Sequence, residues 1–181
     1  IRACAATCSC AVIMPRRYRS SSSRSRSSTV SLAGRGRPPT IQPGVREPDL
    51  RVAIRHWLSR GSRAVLPVVL AAQRPLAFRA WTPDTPLVPD RYGIPTPDSG
   101  EWLQPQVLLL PVNAVDGAGY RLGYGGGYFD RTLAALAPRP LTIGVGFECN
   151  RVDSIRPAAH DQPLDWMVTE AGAFRLAGAG R

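Results

Sequence analysis

A chain of 181 residues is long enough for one ordinary domain with a sizeable core, and no apolar run reaches the roughly 20 residues of a membrane-spanning helix. All 23 basic residues are arginine, so any mechanism that needs a lysine ammonium is excluded, and with 13 acids the formal charge is +10. That charge is uneven: residues 1–45 hold eight arginines and no acid, whereas residues 46–181 hold fifteen arginines against thirteen acids. The near-balanced part does not read as a nucleic-acid surface, so nucleic acid is expected only at the tail.

In chain order, residues 1–45 form an atypical basic extension, expected to be disordered. The Ser20–Ser28 stretch is an Arg/Ser tract and Gly34-Arg-Gly-Arg-Pro-Pro39 follows it, with no apolar periodicity to bury. A transit peptide or a shifted reading frame would leave the same composition. Cys4, Cys8 and Cys10 lie in this tail and only Cys149 lies beyond it. That is a poor disulfide framework, and the tail cluster has no matching His or Cys pair for a metal, so a reduced cytoplasmic protein is expected.

The second segment, residues 46–181, reads as a single α/β domain. Leu50, Ala53, Ile54, Trp57 and Leu58 recur at helical spacing and Gly61 closes that helix; His56 falls on its outer side. Ala64–Leu70 reads as a buried strand, although Pro67 argues against a fully paired centre. Leu76–Trp81 reads as the next strand, and Pro83–Pro105, rich in Pro, Asp and Gly, as an irregular crossing loop. Val107–Val112 is a strong strand, Tyr128–Leu136 a short helix closed by Pro138, and Leu141–Phe147 and Trp166–Thr169 are further strands. Alternating strands and helices predict a three-layer αβα domain, Rossmann-like, with a mostly parallel sheet.

In such a sheet, ligands gather outside the carboxyl ends of the strands. Three loops meet that condition: Asn113 and Asp116 with the glycine-rich run, Glu148 and Asn150 after Phe147, and His160–Asp165 before the last strand. The run from Gly119 to Gly127 has five glycines in nine positions and is framed by Arg121, Asp130 and Arg131. Between a strand and a helix, such bare amides are suited to phosphate, and acids at the neighbouring loops suit a hydrated Mg²⁺ held with nucleotide phosphates. A dinucleotide fingerprint does not fit, because the glycine spacing is wrong and no partner acid lies about twenty residues on. Tyr92, Tyr120, Tyr124 and Tyr128 could be packing residues or a ring-stacking surface; His160, Asp161 and Asp165 could be ordinary turn residues.

The combination is more specific than its parts. Arg121-Leu-Gly-Tyr-Gly-Gly-Gly-Tyr-Phe-Asp-Arg131, Ile143-Gly-Val-Gly-Phe-Glu148 and His160-Asp-Gln-Pro-Leu-Asp-Trp-Met-Val-Thr-Glu170 together resemble the 5-formyltetrahydrofolate cyclo-ligase family, as do Glu47-x-Asp-Leu and Leu66-Pro-Val-Val69. The likeness covers about residues 46–172. It implies a ring closure that uses ATP and Mg²⁺: the formyl oxygen of 5-formyltetrahydrofolate takes the γ-phosphoryl group, N10 attacks the activated carbon, and phosphate leaves to give 5,10-methenyltetrahydrofolate.

It further implies an ATP site at Arg121, Leu122, Gly123, Tyr124, Gly125, Gly126, Gly127, Tyr128 and Phe129. The folate would lie against Glu47, Tyr124, Gly125, Gly126, Gly127 and Tyr128, with Arg121 and Tyr128 catalytic and Asp130 and Asp161 holding Mg²⁺. The family also begins with a helix bearing a basic Lys-x-x-x-Arg-type element that contacts ATP. Residues 1–45 show no such helix, so weak turnover is expected. A monomer is expected, with folate and ATP as partners and no membrane. A non-catalytic relative that meets nucleic acid through its tail, and another small ATP-using enzyme on the same scaffold, stay open.

Overall fold

The computed structural model describes residues 12–14, 48–123 and 125–178. Along the chain come β1 (Val12–Met14), α1 (Arg51–Ser59), β2 (Arg63–Val68), β3 (Ala77–Trp81), β4 (Leu87–Pro89) and β5 (Pro95–Pro97). Then follow β6 (Val107–Pro111), β7 (Ala114–Asp116), β8 (Arg121–Leu122), α2 (Tyr128–Ala135), β9 (Leu141–Val145), a 3₁₀ turn (Glu148–Asn150), β10 (Arg151–Val152), β11 (Trp166–Thr169) and β12 (Gly172–Arg175). No helix among the described residues is long and apolar enough to cross a membrane.

Seven strands form the main sheet in the order β12-β11-β9-β6-β1-β2-β3. Only β6–β9 and β9–β11 pair in parallel; the flanking pairs β11–β12, β6–β1, β1–β2 and β2–β3 are antiparallel. The α/β class therefore holds, but the sheet is mixed rather than mostly parallel, and it lacks the doubly wound order of a Rossmann-like sheet. The reason is connection length. α2 carries the chain from β6 over to β9, whereas β11 turns straight back into β12 at Glu170–Ala171, and a tight reversal can only be antiparallel. An apolar run buried on both faces reads the same for either direction.

The tail expected to be irregular contributes one strand, β1, between β2 and β6; its other residues lie outside the described ones. Pro67 pairs with Phe78 of β3 but lies beyond the reach of β1, which registers against Arg63–Val65. Its missing N–H therefore leaves no gap in that ladder. The expected crossing loop is partly ordered as the β4–β5 hairpin.

The two helices cover opposite faces, giving the expected three layers. β6 alternates: Leu109 faces α1, packing with Val145, Leu50, Trp57 and Ile143, while Leu108 and Leu110 join Leu133 of α2 in the larger core with Val65, Leu164 and Met167. Leu108, Leu110, Leu164 and Met167 are fully buried, each contributing about 1.5–3 kcal/mol relative to exposure. On α1, Ile54 is the buried residue and His56 is exposed. Gly61, with φ at 81°, ends the turn as the spacing predicted. Thr132 anchors α2 from inside the core: its hydroxyl accepts the Leu76 amide at 2.8 Å and donates to the Tyr128 carbonyl at 2.6 Å.

Candidate active site at the carboxyl ends of the parallel strands

β6 and β9 end side by side, and their loops are sewn together before the glycine-rich segment begins. Asn150 accepts the Phe147 amide at 2.6 Å and donates to the Asn113 carbonyl at 2.9 Å. The Asn113 amide in turn donates to the Leu122 carbonyl at 3.1 Å, and its side chain donates to the Gly123 carbonyl at 3.4 Å. The small β10-β7-β8 sheet then carries the chain to the glycines. Asp116, buried, shapes its turn by accepting the Ala118 and Tyr120 amides at 3.1 and 3.0 Å. Glu148 bonds Arg151 and the Thr169 hydroxyl, each at 2.9 Å. Asp116, Glu148 and Asn150 thus serve loop architecture.

Within the glycine loop, Gly125 and Gly127 have φ of 80° and 60°, a left-handed backbone that costs other residues about 1–2 kcal/mol. The loop has an open side and a covered side. A Cβ on Gly123 or Gly125 would meet nothing within 4 Å, whereas one on Gly126 would lie 2.9 Å from the Tyr128 ring and one on Gly127 2.9 Å from Nη1 of Arg131. Gly127 leads into α2 without any side-chain cap, so the amides of the first turn and the positive end of the helix face the loop.

A buried ion pair closes the loop at its base. Arg121 and Asp130 meet at 3.1 Å with only 6% and 16% of their side chains exposed. Both also bind one peptide unit of the third loop: Nη1 of Arg121 donates to the Gln162 carbonyl at 3.0 Å, and the Gln162 amide donates to Oδ1 of Asp130 at 3.1 Å. Asp161, the next residue, accepts the Ala158 amide at 2.8 Å and lies 3.7 Å from the largely exposed His160. The two sequence-predicted carboxylates, Asp130 and Asp161, are therefore on segments tied directly to each other. No group of three or more His, Cys, Asp or Glu side chains among the described residues could cage an ion. Two carboxylates completed by phosphate oxygens and water suit Mg²⁺ rather than a tighter all-protein site, and both contacts to Asp130 fall on Oδ1, so Oδ2 takes neither.

Tyr128, at the start of α2, is reached from the β4–β5 hairpin. Its hydroxyl is 2.7 Å from that of Tyr92, with the rings edge to face at 6.2 Å. The Tyr128 hydrogen bond is the main cause that raises Tyr92 above the ordinary tyrosine value of 10.0. Asp90 holds the hairpin tip by accepting the Tyr92 and Ile94 amides at 2.8 and 2.9 Å. Nothing in the Pro83–Pro105 composition announces this approach, because it depends on a hairpin that folds back over the sheet.

Of the sequence-predicted site, Arg121, Leu122, Gly123, Gly125, Gly126, Gly127, Tyr128, Phe129 and Asp130 lie on the loop and the start of α2, and the Gln162 peptide next to Asp161 is bonded to both Arg121 and Asp130; Glu47 and Tyr124 lie outside the described residues. One participant that residue type does not reveal is Gln162, which acts through its backbone; Arg131 is expected from sequence only as one of the charges framing the loop. Asp165 is structural. Burial alone would raise its carboxyl, but the Thr142 amide and hydroxyl and Arg139 outweigh that and hold it below the ordinary 3.8. A cleft of about 490 Å³ lined by Leu58, Arg63, Trp81 and Asp84 lies elsewhere. It sits at the start of β2, which runs the same way as β6 because both pair antiparallel with β1, so it is at the opposite end of the sheet.

A model of the 5-formyltetrahydrofolate cyclo-ligase family matches residues 42–170. The chain is 32% identical over 133 residues to the 5-formyltetrahydrofolate cyclo-ligase of Mycolicibacterium smegmatis, covering 68% of each protein. It is 32% identical over 130 residues to that of Escherichia coli, covering 68% of this chain and 71% of the relative. With the Haemophilus influenzae protein of the same name it shares 33% over 95 residues and spans about half, 51%, of that protein's length. The NMR structure of Aquifex aeolicus 5,10-methenyltetrahydrofolate synthetase is similar over 75% of this chain and 68% of that one, with a TM-score of 0.61 and 29% identity.

Proposed function

The chain belongs to the 5-formyltetrahydrofolate cyclo-ligase family, and we propose that it converts 5-formyltetrahydrofolate to 5,10-methenyltetrahydrofolate with cleavage of ATP to ADP and phosphate. The observation that carries this reading is the glycine loop itself. It is open at Gly123 and Gly125, left-handed at Gly125 and Gly127, and clamped at its base by the Arg121–Asp130 pair.

The phosphate chain lies along the backbone amides of Gly123, Gly125, Gly126 and Gly127 and the first turn of α2. There, hydrogen-bond donors fixed before binding need no reorganisation as charge moves. Transfer of the γ-phosphoryl group to the formyl oxygen releases ADP. Attack by N10 on the activated carbon then closes the ring and expels phosphate. Little covalent chemistry falls to the protein, so positioning and charge neutralisation dominate. Asp130 and Asp161 would hold Mg²⁺, which when bound neutralises phosphate charge. Tyr128, held edge-on by Tyr92, borders the folate together with Glu47 and Tyr124, and Arg121 keeps the loop and Asp130 in place.

The test follows methenyltetrahydrofolate absorbance with purified protein, 5-formyltetrahydrofolate and MgATP. Product should form with ATP and Mg²⁺ together and fail when either is withheld. Binding of neither MgATP nor folate by calorimetry would overturn the reading.

A further inference from the structure

Two arginines frame the glycine loop, and the sequence treats them alike. The structure does not. The charge of Arg121 is already met by Asp130 inside the fold, and its Nη1 is committed to the Gln162 carbonyl. Arg131, in the first turn of α2, curls back over the loop instead. Its Nη2 donates to the Gly126 carbonyl at 2.5 Å, and its guanidinium carbon stands 5.1 Å from the centre of the Tyr128 ring. Among the described residues Arg131 makes no ion pair, and its Nε is buried with no hydrogen-bond partner.

A buried guanidinium N–H without an acceptor is a costly state that a structure retains only where something else compensates it. An arginine has five donors in a planar fork that matches phosphate oxygens. A phosphate oxygen is also a stronger acceptor than the neutral Gly126 carbonyl now occupying Nη2. We propose that Arg131 supplies the guanidinium that contacts the phosphate chain at the glycine loop, while Arg121 is a positioning residue that acts through Asp130 and Gln162. This rests on the nucleotide site proposed above. It gives the loop one cation for the ligand and one for the fold.

The experiment measures binding of inorganic tripolyphosphate and of ATP, each with Mg²⁺, by calorimetry, alongside melting temperature. The proteins compared are the full chain and its R131Q, R131K and R121Q variants. R131Q should lose about tenfold or more in affinity for both ligands, the effect of one charge-assisted contact, with its melting temperature close to that of the unaltered chain. R131K should recover part of the loss, and R121Q should lose stability and affinity together. Unchanged tripolyphosphate affinity in R131Q overturns the inference. So does a loss of affinity that follows a matching fall in melting temperature in both Arg131 variants, because Arg131 would then be only a brace for Gly126. If the unaltered chain binds neither ligand, the nucleotide site itself fails and this inference falls with it.

Discussion

The two ends of the sheet differ in a way that volume alone would misread. The end at the start of β2 has a cleft of about 490 Å³, yet the Arg63–Glu101 pair beside it is 48% and 62% exposed. The end beyond β6 and β9 holds a buried ion pair, two left-handed glycines and hydrogen bonds linking three loops. Space at the first end is ordinary surface relief. At the second, donors and charges are fixed before any ligand arrives, and such pre-set polar groups make a site chemically specific.

The sharpest way to break this contrast is to remove one cation from each end. Arg121→Met leaves Asp130 without its counter-charge and should cost about 3–5 kcal/mol in urea denaturation, as buried pairs do when halved. Arg63→Met should cost less than about 1 kcal/mol, because exposed pairs contribute little. Equal costs would show that the two ends are not mechanically different. Adding Asp130→Leu to the first variant should restore much of the loss.

A smaller effect on stability but a larger one on binding is expected at Gly125. Gly125→Val places a branched side chain at φ 80°, costing about 1–2 kcal/mol. It also fills the open side of the loop, so MgATP binding should vanish in calorimetry while the melting temperature falls only a few degrees. Equal damage to both would make the loop a structural turn.

Acid sensitivity sharpens the comparison further, because Asp165 belongs to the frame rather than the site. Its folded carboxyl lies below the ordinary 3.8, so its stabilisation is present above that value and is lost as pH falls through the lower folded one. Asp165→Asn should therefore lower the urea midpoint at pH 7. The gap from the unaltered chain should narrow towards pH 3 and below. A gap constant with pH would mean that the charge is not what Thr142 and Arg139 hold.

The smallest effect is at the hairpin tip. Tyr128→Phe should return Tyr92 towards its ordinary value near 10.0, since the Tyr128 hydroxyl is the main cause of the upward shift. Alkaline ultraviolet titration would show a raised tyrosine transition moving down, and no movement would mean that the two hydroxyls do not meet in solution.

How much of this was legible beforehand follows from the range of each interaction. The helix at Arg51–Ser59, the strands of Val107–Pro111 and Leu141–Val145, and the turn from glycines into Tyr128–Ala135 are written in spacing and residue type, because local backbone preference and one-sided burial decide them. The family likeness is legible for the same reason: its motif is contiguous, and its glycines answer to local backbone geometry. Strand direction was not legible, since Ala64–Val68 is apolar on both faces whichever way its neighbours run. Nor was the division of labour between Arg121 and Arg131, identical residues at the two edges of one loop. Only the tertiary fold could decide that, by carrying Asp130 and the backbone of Gln162 to Arg121 and leaving Arg131 over the glycines, because charge pairing depends on distance in space and not along the chain.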